Sequence, residues 1–194
     1  MMSISRDPSQ SLRPCRSDLV LRAQTSADLD FLQNLFVTRR WAEVSAVSGW
    51  SDAQCRAFLH SQAQLQRQHY EKHYPRADFL IIEYVGAPIG RLCLDRSASE
   101  LRIVDIALLP AWHGQGIGSE LLHSLLSQAD AQRQVCSLSV EQGCRARRLY
   151  ERLGFEPCGE TGIHTQMRRC TGTPGVAKQN RQRYEYSNTQ FYRQ

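Results

Sequence analysis

DLVLRA (18–23), with Leu19, Val20 and Leu21 as an apolar run, reads as a first strand. From Ser26 the pattern becomes periodic. Leu29, Leu32, Leu35 and Phe36 recur at three- and four-residue steps, so a helix opens there with the Ser26 side-chain oxygen as its cap. WAEVSAVSGW (41–50) reads as a loop or short turn. A second helix starts near Ser51–Asp52, carries Phe58, Leu59, Leu65 and Tyr70 as its apolar residues, and cannot continue past Pro75. DFLIIEYV and PIGRLCLD, joined through VGAPIG, read as a hairpin.

LRIVDIALLP (101–110) is a further strand, stopped by Pro110. HGQGIG follows, and then a helix to about residue 131. Its stripe is Ile117, Leu121, Leu122, Leu125, Leu126 and Ala129. VCSLSVE (135–141) is another strand, and RARRLYERL (145–153) a short helix with Gly154 at its stop. FEPCGE and IHTQMRR make two closing strands. Residues 171–194 have few aliphatic side chains and read as a disordered basic tail. Residues 1–17 read as a flexible leader without the apolar stretch of a signal peptide. One domain, 18–170, lies between them.

Gly114, Gly116 and Gly118 fall within five positions and lead straight into a helix. Glycine costs roughly 0.5–1 kcal/mol inside regular structure, so the cluster needs a reason. One reading is a plain turn. The other is a loop whose backbone comes close to an anion, because a helix N-terminus offers unpaired N–H groups and partial positive charge. The regular stripe that follows favours the anion cradle.

Composition narrows the classes. A hydrophobic fraction of 41% and a charged fraction of 22% suit a soluble globular protein. No run reaches the roughly 18 apolar residues of a membrane span, so no membrane partner is expected. Seven cysteines, odd in number and never in a C-x-x-C pair, point to reduced thiols and a cytoplasmic setting. The net charge is +5, but the leader supplies +2 and the tail +3. The domain between is near neutral, so nucleic acid is not the expected partner. His69 and His73 in HYEKH lack a third ligand and have the glutamate in the wrong place for a zinc helix, so no metal is expected.

Two motifs together resemble the GNAT superfamily of N-acetyltransferases over residues 18–170. HGQGIG (113–118) resembles the family's (Gln/Arg)-x-x-Gly-x-(Gly/Ala) loop, with His113 at the first position. Ala146 to Phe155 resembles A-x-x-L-Y-E-x-L-G-F, with Gly143 where the family often has Asn. The resemblance implies an α/β (α+β) GNAT fold, with a mixed sheet of about six or seven strands and about four helices on both faces. It implies that the strands ending at Leu109 and Glu141 splay around the pantetheine of acetyl-CoA, the co-substrate. It further implies that Ile106, Ala107 and Leu108 offer backbone groups to the pantetheine and the acetyl carbonyl. By the same resemblance, His113, Gly114, Gln115, Gly116, Ile117, Gly118 and Ser119 hold the pyrophosphate, and Tyr150 protonates the departing thiolate.

The implied reaction is transfer of an acetyl group to an amine acceptor by direct attack. An amine with a pKa near 10.4 needs a base or a water chain at neutral pH, and Asp105 and Glu141 are the candidates. Tyr150 also has a plain reading as a packed helical aromatic beside Leu149 and Leu153. Other readings of the whole chain are an acyl-CoA-binding sensor that transfers nothing and a dinucleotide-binding oxidoreductase. The last suffers from Leu121 standing where its third glycine belongs. The acceptor's identity and a homodimeric state stay open.

Overall fold

The computed structural model of the chain describes residues 17–47 and 49–171. The expectations for the leader and the tail lie outside these residues, apart from Ser17 and Thr171. Among the described residues there are seven strands and four α-helices. In chain order they are β1 (Leu19–Ala23), α1 (Leu29–Ser45), α2 (Asp52–His73), β2 (Asp78–Tyr84), β3 (Ala87–Arg96), β4 (Glu100–Leu108), α3 (Ile117–Ala131), β5 (Val135–Glu141), α4 (Ala146–Arg152), β6 (Glu156–Thr161) and β7 (His164–Arg169). Short 3₁₀ turns stand at Ser26–Asp28 and Pro110–Trp112.

The strands form one mixed sheet in the order β1-β2-β3-β4-β5-β7-β6. β4 and β5 are parallel, so the chain needs a crossover between them, and α3 supplies it. β1–β2, β2–β3, β5–β7 and β6–β7 are antiparallel neighbours. The expected mixed sheet and helix number are therefore present.

Three local expectations change. α1 does not stop before Trp41 but continues to Ser45. Val37, Trp41 and Val44 carry its inward stripe on at helical spacing, and an Arg40–Glu43 ion pair at 3.0 Å runs along its outer side. Arg56 of α2 lies 4.7 Å above the Trp41 ring, a cation–π contact that gives the added turn something to pack on. Ser26 is not the cap of α1: it opens the 3₁₀ turn Ser26–Asp28, which Thr25 caps, and Asp28 is the N-cap residue of α1, with the Thr25 N–H donating to Asp28 Oδ2 at 2.7 Å. The turn between β2 and β3 is only Val85–Gly86, at φ 50° and 74°. The expected helix start near Ser51–Asp52 is present, and Ser51 closes it with a capping box. Gln54 N–H donates to Ser51 Oγ at 3.3 Å, and Ser51 N–H to Gln54 Oε1 at 2.8 Å.

The fold divides into two compact units. Among the described residues, the first draws on those up to Asp95 and on Asp105–Ser124, and Leu35, Leu59, Ile81, Leu92 and Leu121 are buried in it. The second draws on Arg96–Val104 and on those from Leu125 onward, with Leu101, Leu125, Leu138, Phe155 and Met167 buried. Each such side chain contributes about 1.5–3 kcal/mol by leaving water, so both units have cores of their own.

Candidate active site

β4 ends at Leu108, and Pro110, which has no N–H to give a ladder, turns the chain into the glycine loop. Gly114 at φ 74° and Gly116 at φ 82° occupy the left-handed region, where a Cβ is strained. Two of the three glycines therefore answer to the backbone. Gly118 does not. It lies in the first turn of α3, its φ is not in that region, and a Cβ built on it meets nothing within 4 Å. Glycine there forfeits roughly 1 kcal/mol of helix propensity against alanine. Among the described residues no neighbour asks for that.

His113, Gly114, Gln115 and Gly116 are exposed, while Ile117 is buried and anchors the helix start. The two long side chains of the loop turn back on its own backbone. His113 Nε2 donates to Leu108 O at 2.9 Å, and Gln115 Nε2 to Ala111 O at 2.8 Å. They brace the loop from within, which leaves its backbone as the exposed part. The first bond back into the turn is Glu120 N–H to Gly116 O at 2.9 Å, so the first-turn N–H groups of α3 are those a helix leaves over for an outside acceptor.

Ile106 and Leu108 are half-buried and Ala107 is buried. Beside them β3 has Gly90, a residue that the motif reading passed over. A Cβ at Gly90 would lie 2.3 Å from Ala107 O and 2.8 Å from Leu108 Cδ2. Leu109 N–H also donates to Ile89 O at 2.9 Å. The path of β4 at the predicted pantetheine residues thus depends on a missing side chain in the neighbouring strand. The β4–β5 ladder runs from Glu100–Val135 to Ile103–Leu138, and β4 itself continues to Leu108.

Asp105 is not alone. Arg91 Nε donates to Asp105 Oδ2 at 2.6 Å, and Arg91 Nη2 lies 2.6 Å from the same oxygen. Nη2 also donates to Gln66 Oε1 at 2.6 Å, and the guanidinium lies 5.4 Å from the centre of the Tyr70 ring. Burial works against the Arg91 charge, but Asp105 and Tyr70 outweigh it and the guanidinium pKa rises. Burial first, and then the Asp105 charge, push the Tyr70 phenol far above its usual value. Arg91, Gln66 and Tyr70 were not singled out from the sequence as site residues. The available signal was an arginine inside the apolar run PIGRLCLD.

The first unit thus holds Asp105, residues 106–108 and the whole loop 113–119. Glu141 and Tyr150 belong to the second. Glu141 is the last residue of β5 and stands opposite His164 of β7. Tyr150 of α4 is buried, at 8% exposure, with its ring edge-on to Phe155 at 5.9 Å. Among the described residues no helix is long and apolar enough to cross a membrane.

Residues 47–169 match the acetyltransferase (GNAT) domain family, and the chain belongs to it. It is an acyltransferase. Among solved structures it is similar to the PaiA N-acetyltransferase of Thermoplasma acidophilum in complex with coenzyme A. That match has 17% identity, covers 78% of this chain and 98% of that one, and has a TM-score of 0.58. A GCN5-related N-acetyltransferase from Rhodopseudomonas palustris matches at 18% identity over 81% and 99% of the two chains, with a TM-score of 0.56. RimL, the ribosomal L7/L12 alpha-N-protein acetyltransferase, matches at 16% identity over 82% and 93%, also at 0.56. At these identities the likeness is one of fold. The dinucleotide-binding reading is set aside, because most ladders of this sheet are antiparallel where that class builds a parallel one.

Proposed function

We propose that the protein transfers the acetyl group of acetyl-CoA to a primary amine by direct attack within a ternary complex. The observation that carries this reading is the start of α3: a braced, exposed glycine loop followed by Gly118, where no neighbour among the described residues requires a glycine and room is left for an outside group. In this reading the loop 113–119 holds the pyrophosphate through the N–H groups that follow His113, whose own N–H donates to Pro110 O at 3.1 Å, and the backbone of Ile106, Ala107 and Leu108 takes the pantetheine and the acetyl carbonyl. His113 serves as a brace rather than as a phosphate ligand.

The amine nitrogen attacks the thioester carbon. A C–N bond forms, the C–S bond breaks as the tetrahedral intermediate collapses, and the amine's proton leaves to a base. Asp105 has Oδ1 to offer, since both Arg91 contacts are to Oδ2. Glu141 is the other candidate, and either acts directly or through water. Tyr150 gives its phenolic proton to the leaving thiolate. The experiment is release of free thiol from acetyl-CoA over a panel of amines, with wild type and Tyr150→Phe. We expect turnover with at least one amine and a fall in kcat of about 10²-fold in the variant, the low end for general acid catalysis because a thiol leaves readily. Equal kcat in the two proteins removes Tyr150 from the mechanism. Tight acetyl-CoA binding without turnover on any amine overturns the transfer reading.

A further inference from the structure

The glycine loop is shaped from within but seated by its neighbours. The side-chain bonds of His113 and Gln115 end on Leu108 and Ala111, residues of the same segment, so they fix the loop's form and not its seat on the sheet. At its root, Leu109 N–H donates to Ile89 O at 2.9 Å. Beyond that, the 3₁₀ turn Pro110–Trp112 ends in Trp112, whose half-buried side chain meets that of Tyr84, the last residue of β2. The ring centres are 5.0 Å apart and the planes are tilted by 54°, within the range where aromatic pairs attract. His113, the first residue of the loop, follows Trp112 directly.

Tyr84 is a fixed post. It stands opposite Leu19 of β1 and Ala87 of β3. The turn behind it has only two residues, Val85 at φ 50° and Gly86 at φ 74°. A positive φ is rare for a β-branched residue and persists only where the surroundings hold it. Here Val85 N–H donates to Asp18 O at 3.0 Å, which ties the turn to the start of β1. The loop, by contrast, contains Gly114 and Gly116, and glycine has the most backbone freedom to lose when a ligand orders it. Contact with a rigid neighbour removes part of that freedom before binding, and a preorganised site binds more tightly. We propose that Tyr84 and Trp112 are positioning residues for acetyl-CoA: the ring pair holds the glycine loop in its binding pose from the β2–β3 hairpin, and acts on affinity rather than on the chemical step. The inference rests on the acetyl-CoA reading of the loop.

The test is calorimetric titration of the full chain with acetyl-CoA, for wild type, Tyr84→Leu, Trp112→Leu, the double variant and Tyr84→Phe. Each leucine variant keeps apolar bulk and loses the ring pair, and is expected to weaken acetyl-CoA by about three- to tenfold. The double variant is expected to be within about twofold of the weaker single one, since both changes break the same contact. Tyr84→Phe keeps the ring and is expected to keep the wild-type affinity. Rings that only added stability would lower the melting temperatures of the leucine variants and leave the affinity of the folded chain alone. Should Tyr84→Leu not fold, Tyr84→Val, a better strand former, takes its place. Unchanged affinity in a folded Tyr84 variant overturns the proposal. So does a double variant that shows the full product of the two single effects, which would mean that Trp112 meets the ligand by itself. No binding by the wild type is a different failure: it removes the acetyl-CoA reading, and the proposal with it.

Discussion

Asp28 is 5% exposed and accepts two hydrogen bonds from Arg22, at 2.8 and 2.7 Å, and one from the Thr25 N–H at 2.7 Å. The Arg22 bonds hold its carboxyl well below the usual range, against the opposing effect of burial. Because the folded pKa lies below the unfolded one, the stabilisation is complete above the unfolded value near 4 and is lost as pH falls below it. Asp28→Asn is therefore expected to be less stable at pH 7 by about 2 kcal/mol, with the gap narrowing steadily as pH falls below about 4. Urea unfolding of both proteins across that range checks it, and a gap that stays constant contradicts the assignment. Gly118 is the other residue whose neighbours make a clear test. Since a Cβ there meets open space at an ordinary φ, Gly118→Glu should keep the wild-type melting temperature to within a few degrees. By placing a carboxylate against the pyrophosphate, it should lower acetyl-CoA affinity by about 10²-fold or more. Gly116→Glu is the poorer choice, because φ 82° strains any side chain whatever is bound. Calorimetric titration decides, and unchanged affinity would return the loop to a plain turn.

At the scale of elements, β3 and β4 behave as one piece. Gly90 admits the Ala107 carbonyl, and Ile89 O takes the Leu109 N–H, so the last turn of chain before the glycine loop is placed by β3. Gly90→Ala is expected to destabilise the protein by about 1–3 kcal/mol, as overpacking does, and to weaken acetyl-CoA binding as well, although residue 90 belongs to no motif. A normal affinity in a folded Gly90→Ala protein would show that the path of β4 does not govern the site. The α1–α2 pair carries a related lesson. Trp41 and Val44 continue the spacing set by Val37, and the pattern alone leaves open whether a helix or a loop carries them. Packing against Arg56 of α2 decides for the helix, because two turns of isolated helix have little stability of their own.

For the molecule as a whole, acetyl-CoA should act as a ligand of the folded state alone. At a hundred times its Kd it should add about 2.7 kcal/mol of stability, while NAD at the same concentration should add none. Thermal unfolding with each ligand checks this, and stabilisation by NAD alone would contradict the family assignment as read here. The local signals in the chain were sufficient for most elements: Leu-, Ile- and Val-rich runs for the strands, Pro75 and Pro110 as stops, and a glycine loop feeding the α3 stripe. Those are properties of neighbours in sequence, and a linear reading can find them. It could not find that Asp105 is tied to Arg91, 14 positions away, and Arg91 in turn to Gln66, 25 positions away, or that Ala107 needs a glycine at position 90. The strand order β5-β7-β6 and the contact of Tyr84 with Trp112 are of the same kind. Hydrogen bonds and steric exclusion act over a few ångströms in space, and only the folded chain decides which distant residues come that close.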